Sequence, residues 1–514
     1  MAAADAAAPP QAGTIRFDSG VGRWVLATAV LGSGIAFLDG TVVNVALPAI
    51  GKDLGASTSA LQWILDGYLL TLASLILLGG SLGDRLGRRR IFALGVAWFT
   101  VASALCAAAP TSGFLIAARL LQGVGGALLT PGSLAMIEAS FAKADRARAI
   151  GAWSGLTGVG AALGPLLGGW LVQAVSWRAI FLINVPLGFF VVVMATRRVP
   201  ETRDPRAHGR LDFAGACLAA LGLAGTTYAL IAVPDEGASA GVLATAVGGA
   251  LALVAFVVQE RRSTNPMLPL SMFASRQFSA ANLVTFVVYA ALGGVFFLLV
   301  AFLQIACGYS PTAAGAASLP VTALMLALSA RSGALAQRIG PRIPLTVGPL
   351  VIAAGLLLMT RITPGDPYLT SVLPAVIVFG LGLTLVVAPV TATVLAAADS
   401  RHSGIASGIN NAVSRVAGLL AVSIFPLIGG LTGGAFYEPA AMTHGFHVAM
   451  SAAAGLAALG GALAWLTISD DVLDAEPEPQ GDTPLQLAHD HLCPVSGAPL
   501  RPAREAECGA AQAG

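Results

Sequence analysis

The chain is 514 residues long, 56% apolar and 11% charged, with a mean hydropathy of +0.80. Soluble domains carry about 25% charged residues, so this chain has too little charge to cover a water-exposed body of its size. That excludes a cytosolic enzyme and a disordered protein and leaves a polytopic membrane protein.

A formal net charge of +2 gives no footing for nucleic acid, and almost every basic residue is Arg, Lys52 and Lys143 being the lysines. Five cysteines without a CxxC pair suggest neither a disulfide framework nor a zinc site. Residues 1–22 are rich in Ala and Pro, lack a leader with a cleavage site, and read as a disordered cytoplasmic tail.

A spanning helix needs about 20 mostly apolar residues. Six such stretches fall near 24–48, 59–81, 91–109, 113–137, 150–172 and 178–196. After a polar gap come 213–233 and 240–259; a second gap precedes 280–306, 312–334, 343–360, 370–395, 404–430 and 443–467. The reading is fourteen spans: a six-helix unit at 23–197, a linker with two inserted helices at 198–279, a second six-helix unit at 280–467, and a tail at 468–514. The tail is Pro- and Glu-rich and predicted to be disordered; His489, His491 and Cys493 within it read as scattered polar residues rather than a metal site.

Positive charge concentrates in cytoplasmic loops. With both termini inside, the inner segments hold Arg85, Arg88, Arg89, Arg90, Lys143, Arg146, Arg148, Arg197, Arg198, Arg203, Arg206, Arg210, Arg261, Arg262, Arg276, Arg331, Arg338, Arg342 and Arg401. The outer segments hold only Lys52, Arg178 and Arg361. Adding or losing one helix scrambles this alternation.

Gly80-Ser81-Leu82-Gly83-Asp84-Arg85-Leu86-Gly87-Arg88-Arg89 follows the second helix, and Gly333-Ala334-Leu335-Ala336-Gln337-Arg338-Ile339-Gly340-Pro341-Arg342 follows the tenth. Matching loops at matching places point to two related halves, the arrangement of a secondary transporter with its binding site between repeats. Gly79 through Arg90 resembles the loop signature of the major facilitator superfamily. Leu38-Asp39-Gly40-Thr41-Val42-Val43-Asn44-Val45-Ala46-Leu47-Pro48 is similar to the helix 1 signature of its fourteen-helix drug:proton antiporter branch. Arg119-Leu120-Leu121-Gln122-Gly123-Val124-Gly125-Gly126 resembles the helix 4 motif, and Gly155 through Gly169 the helix 5 antiporter motif. The resemblance spans about residues 24–467 and implies an all-α integral membrane protein with the major facilitator fold.

It also implies roles. Gly80, Gly83, Asp84, Arg85, Gly87, Arg88 and Arg89 are expected to gate the cytoplasmic end, with Asp84 and Arg85 in charged contacts between helices. Gly160, Gly164 and Gly168 lie at four-residue spacing on one face of helix 5, beside Pro165, and read as a close-packed, flexible seam.

Membrane charges are costly, roughly 2.5–3.5 kcal/mol each even on lenient scales. Asp39 is expected ~12 Å deep, and Asp66 and Arg119 ~9 Å deep, all from the outer side at 1.5 Å per residue. That places three charges in one layer, and the resemblance ties them to proton coupling and, for the acids, to cationic drugs. Arg415 lies deeper, with no acid of its own half at that depth. Phe37, Gln62, Tyr68, Tyr289, Phe297 and Gln304, with Arg415, are candidates to line a substrate cavity. His444 and His447 read as interfacial packing.

No GxxxxGK[ST] loop or HExxH helix is present, so neither ATP hydrolysis nor zinc chemistry is supported. The expectation is a monomeric proton-coupled antiporter in the bacterial plasma membrane. It exports antibiotics or other small amphiphilic drugs and needs no cofactor beyond the proton gradient. A dedicated exporter of one endogenous metabolite is the alternative; a non-transporting sensor is less favoured, because Asp39, Asp84 and Arg119 are all present.

Overall fold

The computed structural model describes residues 13–204, 211–398 and 403–473. Fourteen helices there are long and apolar enough to span a membrane. They are α1 (Gly20–Leu54), α2 (Thr58–Leu86), α3 (Arg88–Ala107), α4 (Ser112–Ser140), α5 (Lys143–Ala174), α6 (Ala179–Arg198) and α7 (Phe213–Glu236). The remainder are α8 (Ala240–Arg262), α9 (Arg276–Ile305), α10 (Pro311–Ile339), α11 (Arg342–Met359), α12 (Val372–Ala396), α13 (Gly404–Ile428) and α14 (Pro439–Thr467). Each overlaps one expected span, so the count read from the sequence stands.

Helix ends follow local chemistry. Ser57, Thr111, Ser239 and Ser310 each accept a backbone N–H of the first turn of the helix that follows. Gly55 stops α1 in the left-handed region at φ 58°, where a residue with a Cβ is strained. The helix therefore runs past Pro48, six residues beyond the expected end. α6 is interrupted at Ile183, where Pro186, lacking an N–H, leaves the Leu182 carbonyl without its helical donor.

Two expected tails begin differently from the reading above. The N-terminal one was expected to be disordered as far as Gly22. Instead Ile15 is buried, donating to the Ser140 carbonyl and accepting from Ala142 N, and α1 has already begun at Gly20. Burial of the Ile15 side chain in the hydrophobic cluster that includes Ile137 and Phe141 anchors this segment. At the other end Ile468 is buried and Ser469 N donates to Gln277 Oε1. Residues 474–514, with His489, His491 and Cys493, lie outside the described residues, as do Arg206, Arg210 and Arg401.

The packing repeats. In the first half α2 lies on α4, α3 on α4, α1 on α5, and α6 on both α1 and α3. In the second, α10 lies on α12, α11 on α12, α9 on α13, and α14 on both α9 and α11. Every pair recurs eight helices later. The inserted helices α7 and α8 pack on each other, and α7 alone reaches α2 and α13. Leu243, Val247, Leu251 and Val254 leave α8 an exposed apolar face, suited to lipid.

Within lipid the helices gain nothing from excluding water, so close backbone approach carries the packing. At Gly79 on α2 a Cβ would overlap the Ala127 carbonyl of α4, whereas at Gly248 on α8 it would meet nothing within 4 Å. Gly79→Ala should therefore cost about 1–3 kcal/mol, the usual penalty of overpacking, and Gly248→Ala close to none. Thermal unfolding of the detergent-purified variants checks this: a lower midpoint is expected for Gly79→Ala only.

Candidate functional site

The densest polar cluster in the membrane layer belongs to the first half. Arg119 of α4 is 1% exposed and Asp39 of α1 is fully buried; Nη1 and Oδ2 lie 2.5 Å apart. Gln122, one turn along α4, donates to Asp39 Oδ1 at 2.9 Å and to Ser103 Oγ of α3 at 2.8 Å, and its Oε1 accepts from Arg119. Asn184, just after the break in α6, donates to Asp39 Oδ1 at 3.3 Å. Arg119 Nε donates to the Ile64 carbonyl of α2, and the guanidinium carbon sits 4.4 Å from the Tyr68 ring centre. Five helices thus share one network in which the buried charges cancel and Asp39 accepts three donors.

Asp66 does not join it. Two residues, about half a turn of α2, separate it from Ile64, which contacts Arg119, and it faces the other half. Its Oδ2 accepts from Ser423 Oγ of α13 at 2.9 Å, while its Oδ1 is enclosed with no partner. Around this contact the halves are sewn together. Gln62 donates to the Val422 and Ser423 carbonyls, Gln304 to the Val45 carbonyl, Thr58 to the Gly433 carbonyl and Tyr437 to the Ala56 carbonyl. All five lie toward the end of the molecule that carries the α1–α2 turn.

The α5 glycines serve two contacts, one with α1 inside the first half and one with α10 of the other half. Gly164 and Gly168 receive Thr41 and Val42 of α1. A Cβ at Gly169 would strike the Pro311 carbonyl of α10, and one at Gly315 would strike the Pro165 carbonyl. Gly160 is looser, with the nearest atom to its would-be Cβ, the Gly34 Cα, at 3.9 Å. Farther along α5, Gly151, Gly155 and Gly158 face open space.

At the opposite end charged contacts hold the α2–α3 turn. Asp84 of α2 binds Arg88 of α3 at 2.9 Å, because the chain reverses at Gly87 (φ 119°) and brings the first turn of α3 back over the end of α2. Arg88 Nη1 also reaches the Ala135 carbonyl of α4. Glu201, after α6, accepts from Arg89 N and lies 3.5–3.6 Å from the Arg89 and Arg90 side chains. Gly80 lies against Pro131 and Gly83 beside Arg88. Arg85 borders a cavity of about 350 Å³ with Ser81, Asp212 and Asn265.

Of the expected cavity residues, three converge. Arg415 of α13 is half-buried with its guanidinium carbon 5.9 Å from the Phe37 ring centre, and it is within electrostatic reach of Tyr289 on α9. The others are elsewhere. Gln62 and Gln304 are spent on the seam, and Tyr68, although also within electrostatic reach of Arg415, is buried beneath Arg119. Phe297 is 1% exposed and packs on Phe436 inside the second half, where its apolar surface is better satisfied than in a polar cavity. His447 binds the Ile362 carbonyl, in keeping with a packing role.

Sequence reasoning missed Gln122, Ser103, Asn184 and Ser423. Gln122 could have been found, since it lies three residues from Arg119 and so on the same helix face. The other three stand on separate helices and carry no local signal.

Two pseudo-repeated six-helix halves, sewn together at one end around buried carboxyls, define a multi-pass membrane protein of the rocking, two-half transporter class. The Major Facilitator Superfamily model matches residues 29–422, and the chain belongs to that family. It is 39% identical over 456 residues to the methylenomycin A resistance protein of Bacillus subtilis (strain 168), covering 88% of this chain and 95% of the relative. It is 36% identical over 410 residues to the tetracenomycin C resistance and export protein of Streptomyces glaucescens, covering 79% and 75%. Among solved structures, the inward-facing, unoccupied bacterial homolog of the human lysosomal transporter Spinster shares the fold. Its TM-score is 0.63 at 18% identity, over 88% of this chain and 97% of that one.

Breaking one side of a buried ion pair costs about 3–5 kcal/mol, because the other charge is left uncompensated. Asp39→Asn and Arg119→Met should each lower the unfolding midpoint steeply, and the double variant should recover much of the loss. Additive losses in this double-mutant cycle would mean that the two side chains are not coupled.

Proposed function

We propose that the chain is a proton-coupled exporter of small amphiphilic compounds, antibiotics among them. The observation that carries this reading is Asp66, a fully buried carboxyl at the seam between the halves with one hydroxyl partner, one unpartnered oxygen and no cation. The two named relatives, a resistance protein and a resistance and export protein, support the cargo class. Relatives named for single antibiotics also favour a second reading, export of one dedicated compound by the same mechanism.

The Arg asymmetry supports a cytoplasmic α2–α3 end and cytoplasmic termini in a bacterial plasma membrane, and in that orientation this conformer is closed to the outside. The energy source is the proton gradient, with no cofactor and one chain acting alone. In the dry seam an ionised Asp66 lacks compensation, whereas the protonated form carries no charge to desolvate. Protonation from outside therefore favours closure of the outer end. Loss of that proton to the inside, on substrate binding, favours opening outward with the substrate aboard. A proton and a substrate that stabilise opposite states in this way give exchange through differential affinity alone. Asp39, neutralised by Arg119, serves as the anchor of the first half, and the coupling proton is assigned to Asp66.

Asp66→Asn, fixed in the neutral form, should reach the membrane in normal amounts yet lose at least ten-fold in substrate-driven proton release from inverted vesicles. Full release in that variant overturns the assignment to Asp66. Asp84→Asn removes the partner of Arg88 and loosens the cytoplasmic turn. It should slow efflux several-fold while leaving expression unchanged, and unaltered efflux rates would reduce the turn to a topological role.

A further inference from the structure

The central layer between the halves contains one positive charge that nothing balances. Arg415 makes no hydrogen bond or ion pair among the described residues, and its Nε is enclosed without a partner. The acids that could answer it are otherwise engaged. Asp39 accepts Arg119, Gln122 and Asn184, and Asp66 is sealed at 0% exposure against Ser423. In this conformer, with Asp66 sealed and protonated, an entering cationic compound meets no free carboxylate among the described residues, whereas an acid meets an unspent guanidinium.

The surroundings of Arg415 are equally specific. Phe37 of α1 lies beneath it, and Tyr289 of α9 is within its electrostatic reach; both are half-buried. The three side chains come from both halves, so a molecule held among them bridges the parts that move. Guanidinium groups bind carboxylates through two parallel N–H donors, and bonds to a charged acceptor are roughly twice as strong as neutral ones. Flat aromatic surface suits rings beside such a group.

Resting on the export reading above, we infer that the substrates are amphiphilic organic acids, conjugated or aromatic compounds carrying a carboxylate, phenolate or enolate, and that Arg415 binds the acidic group beside Phe37. Lipophilic cations, the class implied by the resemblance, are the disfavoured cargo. An anion leaving as one proton enters moves two charges across the membrane in the same electrical sense, so exchange is electrogenic; a monovalent cation exchanged for one proton is electrically silent.

The test uses the full-length purified protein with 2-naphthoic acid and anthraquinone-2-carboxylic acid, their primary amides, and the 2-naphthylmethylammonium cation. Binding is read by saturable rise of the unfolding midpoint. The acids are expected to bind at least ten-fold more tightly than the amides or the cation. Arg415→Gln should erase that difference, and Arg415→Lys should keep part of it. Arg415→Gln should itself unfold no earlier than the wild type, because an unpaired charge holds nothing in place. Equal binding of acid and amide, unchanged acid binding in Arg415→Gln, or no acid binding at all overturns the inference. Proton-driven movement of the same compounds in vesicles separates it from the export reading. Cations that move while acids do not bind leave export standing and remove the acid class; acids that bind through Arg415 without moving leave the site standing and remove export.

Discussion

The ion pair between Asp39 and Arg119 organises the first half because water is absent where it forms. Two opposite charges at 2.5 Å in that layer are tolerable only if every remaining lone pair and N–H finds a partner. Gln122, Ser103, Asn184 and the Ile64 carbonyl are those partners, and supplying them fixes the relative placement of α1, α2, α3, α4 and α6. The break in α6 fits this requirement, since it lies immediately before Asn184. The half behaves as a unit because its polar groups cannot be satisfied separately.

The seam between the halves is built on the opposite plan. Its hydrogen bonds are few, mostly from a side chain to a backbone carbonyl, and each can be exchanged for water when the halves part. Glycine and proline on α5 and α10 let backbones meet there without interlocking side chains. One unit rigid through its buried charges and one joint made from replaceable bonds give a molecule that moves between states as two bodies. Asp66 is informative because it sits on the joint rather than inside a unit.

The same contrast explains the division between anchor and binding residues. Arg119 and Arg415 are both arginines in a membrane layer, and sequence position alone gives them equal standing. Arg119 is surrounded by acceptors and screened from the space between the halves, whereas Arg415 reaches across that space to Phe37 with its Nε unanswered. A charge already matched stabilises the protein, and an unmatched one is available to a ligand.

The fourteen spans, the two halves and the inserted pair were legible in the chain, because lipid demands about 20 apolar residues per crossing and arginines accumulate on one side. The repeated loops at Gly80 and Gly333 announced the duplication, and the packing pairs that recur eight helices later agree with it. Charge depth was legible as well, since helical rise converts residue number into distance; Asp39 and Arg119 do lie in one layer. Which way a side chain points at that depth was not. Asp66 and Ile64 are two residues apart, yet one faces the second half and the other contacts Arg119, and only helix rotation and packing decide that. Pairing at turns was hidden for the same reason: Asp84 meets Arg88 of the next helix because Gly87 reverses the chain. Local sequence sets lengths, ends and charges, while the choice of partner across helices depends on contacts between residues hundreds of positions apart, such as Asp66 and Ser423.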